Sequence, residues 1–253
     1  MRPDHASGVA TAAVLVGYNL LTNRPKARQD RYVARNVATG AILVGLARHR
    51  GLSWRDIGFD RTRLRRALGL GLSTAGVVLA AVPVGTAIAA RSSFGGRLLG
   101  DRRAAIGPSA RWGQLLVRIP IGTAAFEEVA FRGVLQGVIA DRNGPWAGAV
   151  GSSLAFGLWH IGPTLAALRI NDVDTGRLPA CAAAVAMTSL AGGVLAGLQF
   201  ASGHVAGPWL AHWAVNAAAL AAASRWQRMM AASEAVDMGA VAPRFDERGA
   251  VGR

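Results

Sequence analysis

The chain has 253 residues, with 52% hydrophobic and only 17% charged. Soluble domains carry about 25% charge, and apolar content this high excludes disorder for most of the chain. A single cysteine, Cys181, excludes a disulfide scaffold and reads as a small apolar side chain. The net charge of +14 would suggest nucleic acid in a soluble protein, but residues 1–112 hold 18 Lys and Arg against 5 Asp, and residues 113–253 hold 10 against 9 Asp and Glu. The basic residues cluster between apolar runs, as in the loops of a polytopic membrane protein drawn to anionic lipid. Both tyrosines lie within the first 32 residues, leaving little to build a base-stacking surface, so no nucleic-acid partner is expected.

A crossing helix needs ~20 mostly apolar residues. Residues 8–22 form a short first candidate; no small-x-small cleavage site follows, so it reads as a retained span rather than a signal peptide. Residues 33–47 form a second, shortened by Arg35 and Asn36, and residues 67–90 a clear third. Residues 113–140 form a charged fourth, residues 143–168 a fifth without Asp, Glu, Lys or Arg, and residues 178–224 are charge-free for 47 residues, enough for two more. SGHVAGP at 202–208 divides that last run, with Pro208 suited to a first helical turn. The expected fold is all-α, a polytopic transmembrane helical bundle of about seven spans, six to eight at the limits. The runs are too long and continuous for a β-barrel.

Trp112, Trp146, Trp209 and Trp226 fall near predicted helix ends, as interfacial aromatics do. Gly133–Gly137, Gly144–Gly148 and Gly193–Gly197 have the spacing of close helix contact. The basic segment 48–66 reads as an amphipathic stretch on the membrane surface, with Leu52, Trp54, Ile57 and Phe59 dipping in. Residues 1–235 are expected to form one membrane domain and residues 236–253 a polar, mobile tail.

Charge inside a span costs roughly 2.5–3.5 kcal/mol per residue, so Glu127, Glu128 and Arg132 in the fourth span need a reason. Glu128 and Arg132 are four apart and share a helix face, where they can pair. Glu127 is rotated about 100° away and is the less completely paired acid, hence the better base. The next span offers Phe156 and His160, and the last span His212 and Asn216, each pair again four apart. Alone, each pair reads as well as packing or as an interhelical hydrogen bond. Together, two acids, two histidines and an asparagine on three helices have a coherent chemistry. A carboxylate takes a proton from water, a neutral histidine shares it, and a histidine and an asparagine donate to the oxyanion formed at an amide carbonyl. HExxH is absent, and Ser152 and Ser153 lack a GxSxG context, so neither the usual zinc helix nor a serine nucleophile is expected. His204 and His5 read as solvated or interfacial.

These motifs resemble the CPBP family, the CAAX-prenyl-protease and bacteriocin-processing group also called Abi. EEVAFRG at 127–133 matches its EExxxR motif, Phe156 to His160 its FxxxH, and His212 to Asn216 its HxxxN, in order, over roughly residues 110–225. The resemblance implies a helical intramembrane endopeptidase in a cell membrane, read as bacterial. By that resemblance Glu127 activates water with His160, His212 and Asn216 form the oxyanion site, and Glu128, Arg132 and Phe156 organise it. No metal cofactor is favoured; zinc, if present, would sit on Glu127, His160 and His212. The expected partners are membrane lipid and a peptide or protein substrate, prenylated or toxin-like. The alternatives are a non-catalytic membrane scaffold of the same fold and a proton-coupled transporter.

Overall fold

The computed structural model describes residues 5–23, 31–92, 95–96 and 99–241. The side chain of His5 and the tail beyond Val241 lie outside the described residues. The fold is all-α. Helix α1 spans His5–Thr22, α2 Tyr32–His49 and α3 Leu64–Ala89. A continuous central rod follows: α4 (Pro108–Gly113), a π-helical stretch Gln114–Ala125, α5 (Phe126–Glu128), a second π-helical stretch Val129–Leu135, and α6 (Gln136–Asn143). Then come α7 (Pro145–Trp159), α8 (Ile161–Ile170), α9 (Arg177–Ser202) and α10 (Ala206–Val241). Pro208 sits in the first turn of α10, as its lack of an N–H allows.

The structure differs from the expected spans at two places. The run 143–168 is two helices, because the backbone turns at His160, whose N–H bonds the Gly157 carbonyl. At ~1.5 Å per residue, α7 alone is about 22 Å long, shorter than the hydrocarbon core. Helix also continues past Arg225 to Val241.

Among the described residues, Arg61–Ala89 and Arg177–Ser202 are long and apolar enough to cross a membrane. Their side chains face outward: Leu72, Val77 and Val84 on α3, and Met187, Leu190 and Val194 on α9, are each more than 60% exposed. Such faces need an apolar surrounding. α10 packs chiefly along α3, and α9 along α7.

The core gathers around the rod: Leu43 and Ala47 of α2, Phe126, Phe131 and Val134 of the rod, and Phe156 of α7. Leu52 and Ile57 belong to it too, at 2% and 0% exposure. This corrects the reading of Leu52 and Ile57 as dipping into a membrane surface; of the four side chains named there, Trp54, 52% exposed, is the one that faces outward. The segment folds into a strap against the rod. Its docking explains the first glycine pair: a Cβ at Gly133 would lie 3.0 Å from the Ile57 carbonyl oxygen, and one at Gly137 would lie 2.5 Å from that of Asp56. The spacing admits a loop, not a second helix. At Gly193 and Gly197 a Cβ would meet nothing within 4 Å.

The strap is clasped at its far end. The Val205 N–H donates to the Gly58 carbonyl (2.8 Å), and Phe59 pairs antiparallel with His204. His204 is 9% exposed, and its Nδ1 accepts the Ala206 N–H at 3.0 Å, capping α10. It is buried, which corrects the solvated part of its sequence reading.

Candidate active site

The rod brings the acids into the core on the short α5 between its two π-helical stretches. In the second stretch the Gln136 N–H reaches the Phe131 carbonyl, five residues back. In the first, Pro120 has no N–H to give, so under the same five-back pattern the Leu115 carbonyl lacks its donor. The indole Nε1 of Trp213 supplies one at 3.0 Å, and Trp209 bonds the Pro120 carbonyl at 2.8 Å. These bonds tie α10, with His212, to the rod. On the other side, Asn36 of α2 donates to the Gly122 carbonyl at 2.5 Å, and Tyr18 of α1 donates to Asn36.

Glu128 is the better-held acid. Its Oε1 accepts Arg132 Nη1 at 3.2 Å and His212 Nδ1 at 2.7 Å, and the Glu128 and Arg132 side chains are 1% and 0% exposed. The expected i,i+4 pair is present, with His212 as a third member. The Arg132 guanidinium also lies 4.1 Å from the Phe156 ring centroid, a cation–π contact strengthened by burial.

Glu127 is held more loosely. Its Oε1 accepts the Trp159 indole N–H at 3.3 Å. Its Oε2 is buried, has no hydrogen-bond partner among the described residues, and lies 3.7 Å from His212 Nε2. That gap is too long for a hydrogen bond.

Phe156 stands between the histidines, with ring centroids 4.6 Å from His160 and 5.8 Å from His212. His160, at the α7–α8 joint, bonds the Phe156 carbonyl oxygen through Nδ1 at 2.7 Å. A carbonyl only accepts, so that nitrogen carries the proton and Nε2 of the neutral ring keeps its lone pair. Asn216 is half-buried one turn beyond His212, and its side chain makes no hydrogen bond among the described residues. The structure thus gathers Glu127, Glu128, Arg132, Phe156 and His212 in direct contact; His160 joins them through Phe156.

Nδ1 of His212 is bonded to Glu128 and Nδ1 of His160 to a carbonyl, so Nε2 is the ring nitrogen that either histidine has left to offer a metal. Among the described residues no group of three or more His, Cys, Asp or Glu is arranged to hold a metal ion.

Trp159 escaped the sequence reading, although it adjoins His160. Its ring stacks on Tyr18 at 6.2 Å and packs against Phe126 and Phe131, and its carbonyl accepts Asn19 Nδ2 at 2.9 Å. An indole N–H inside an apolar span must find an acceptor, and that requirement was the available signal.

Residues 110–218 match the family model described as Type II CAAX prenyl endopeptidase Rce1-like. This stretch holds all three motifs, and the match supports membership of the CPBP family, a membrane-embedded group of proteases. No curated protein and no solved structure matches the chain.

Proposed function

We propose that this chain is an intramembrane endopeptidase that hydrolyses a peptide bond with water activated by Glu127. The observation that carries the reading is the unequal hold on the two acids: Glu128 takes two bonds, from Arg132 and His212, whereas Glu127 takes one, from Trp159 at 3.3 Å; the Oε2 of each is buried without a hydrogen-bond partner among the described residues, and that of Glu127 lies beside His212 Nε2. An oxygen so placed accepts a proton from water lodged against it. The hydroxide oxygen bonds to the substrate carbonyl carbon, and the carbonyl pair moves onto oxygen. Asn216 donates its amide N–H to that oxyanion, His212, its Nδ1–H held by Glu128, joins it from Nε2 as the imidazolium, and His160 steadies the water. Collapse breaks the C–N bond as Glu127 returns its proton to the leaving nitrogen. Glu128, Arg132 and Phe156 hold the site in register. The substrate is a membrane-borne peptide, and the family description favours one carrying a prenyl chain.

The test uses purified full-length protein in detergent with a prenylated peptide, its products read by mass spectrometry. Cleavage into two fragments, retained after prolonged chelation, supports the reading. Zinc at one per chain, with activity lost on chelation and restored by zinc, overturns the metal-free mechanism. An intact peptide together with proton flux in vesicles would favour the transporter instead.

A further inference from the structure

A cavity of about 350 Å³ opens between the strap, the start of α3, the rod and the end of α9. Arg55, Arg63 and Arg66 line it, and Arg132 forms part of its buried wall. Against these four cations stand two lining anions, Asp56 and Asp60. Asp60 is already engaged by Arg55 at 3.0 Å and by the Thr62 hydroxyl, while Arg63 and Arg66 make no ion pair among the described residues. Arg132 spends only Nη1 on Glu128; its Nε and Nη2 are buried without hydrogen-bond partners. Buried guanidinium N–H groups left unpaired are costly; Nη2 lies toward Gly192, outside the cavity lining, so Nε is the group that an oxyanion in this cavity would satisfy.

The position of the cavity identifies the source of that anion. The two helices apolar enough to cross a membrane both end here: Arg63 and Arg66 stand at the start of one, and Gln199, Phe200 and Gly203 at the finish of the other. On the membrane reading, which this inference requires, the mouth therefore lies at headgroup level. Val77 and Val84 continue along α3, 69% and 62% exposed, an apolar path for an acyl chain.

The geometry points to a binding site for the phosphate headgroup of an anionic lipid, with the phosphate among Arg63, Arg66 and Arg132 and the acyl chains along α3. Because Arg132 holds Glu128, and Glu128 holds His212, bound lipid would brace the candidate active site through its positioning residues.

The experiment measures binding of a short-chain fluorescent phosphatidylglycerol to full-length protein in uncharged detergent. At physiological salt the screening length is about 8 Å, so distant charges contribute little. The double variant Arg63→Gln/Arg66→Gln should bind about 30-fold more weakly, at ~1 kcal/mol per arginine. Arg61→Gln/Arg65→Gln, with the same charge change outside the cavity, should bind within about twofold of wild type. Both pairs are exposed, and circular dichroism verifies their fold. Equal losses in both variants, or none, overturn the proposal, as does equal affinity for phosphatidylcholine of the same chain length. Competition assigns the source. Displacement by inorganic phosphate as strong as by glycerophosphate makes free phosphate the ligand and removes the lipid. Displacement by a tripeptide with a free carboxylate, but not by its amide, makes the cavity a peptide-end site and overturns the lipid reading. Binding is read without cleavage, so failure here and failure of the peptidase reading are separate results.

Discussion

Glu128, Arg132 and His212 make a three-member network whose disruption has a calculable asymmetry. Removing one partner of a buried ion pair costs ~3–5 kcal/mol, because the other charge remains uncompensated. Arg132→Ala leaves Glu128 still bonded to His212 at 2.7 Å, which puts it at the low end, about 3 kcal/mol. Glu128→Ala leaves a guanidinium that is 0% exposed, with Nε and Nη2 already unpartnered, and it also strips His212 of its acceptor. That variant belongs at the high end, about 5 kcal/mol. The double variant removes both charges, so only the lost packing and the His212 bond remain. It should be less damaged than the sum by ~2–3 kcal/mol, the upper range for contacting residues. Unfolding in detergent, followed by tryptophan fluorescence, measures all three. Losses that add to within about 0.5 kcal/mol would refute the coupling.

Gly137→Ala should cost ~1–3 kcal/mol, because its Cβ would press on the Asp56 backbone at 2.5 Å, whereas Gly193→Ala, with open space around it, should be neutral or slightly stabilising in the same melts. Trp159→Phe keeps the stacking but deletes the bond to Glu127; kcat should fall roughly tenfold with KM unchanged, the size of one hydrogen bond, and an unchanged kcat would show that Trp159 only packs. Burial holds the His204 imidazole below its usual range, with Asp60 opposing. The unfolded chain therefore takes up the proton first: stability is full above about pH 6.5 and declines as the pH falls through that value. His204→Gln should flatten this dependence, and a variant profile that still tracks wild type would remove the histidine as its cause.

The motif residues were legible because helical spacing is local. Four residues set Glu128 over Arg132 and Phe156 beside His160, whatever the helices pack against. The central rod's place at the core was legible for the same reason, since charges in an apolar run must turn inward. The strap was not. Leu52 and Ile57 in a basic segment suit a lipid surface as well as a protein core; only the glycine face of the rod decides between them. The bond from His212 to Glu128 was also hidden, because residues 84 positions apart meet only through tertiary packing. The break at His160 was marked by Gly157, whose carbonyl closes the turn, and by Gly162–Pro163 in the first turn of α8, a breaker pattern that an unbroken reading of 143–168 passed over.

The central claim is that the two adjacent acids differ in kind: Glu127 handles the proton, and Glu128 holds the site together. The most direct test is kcat for Glu127→Gln beside its unfolding midpoint, on the prenylated peptide in detergent. General base catalysis is worth about 10²–10⁴-fold, so kcat should fall by at least about 10²-fold while the midpoint stays at the wild-type value. A Glu127→Gln protein that folds and turns over at the wild-type rate would contradict the account.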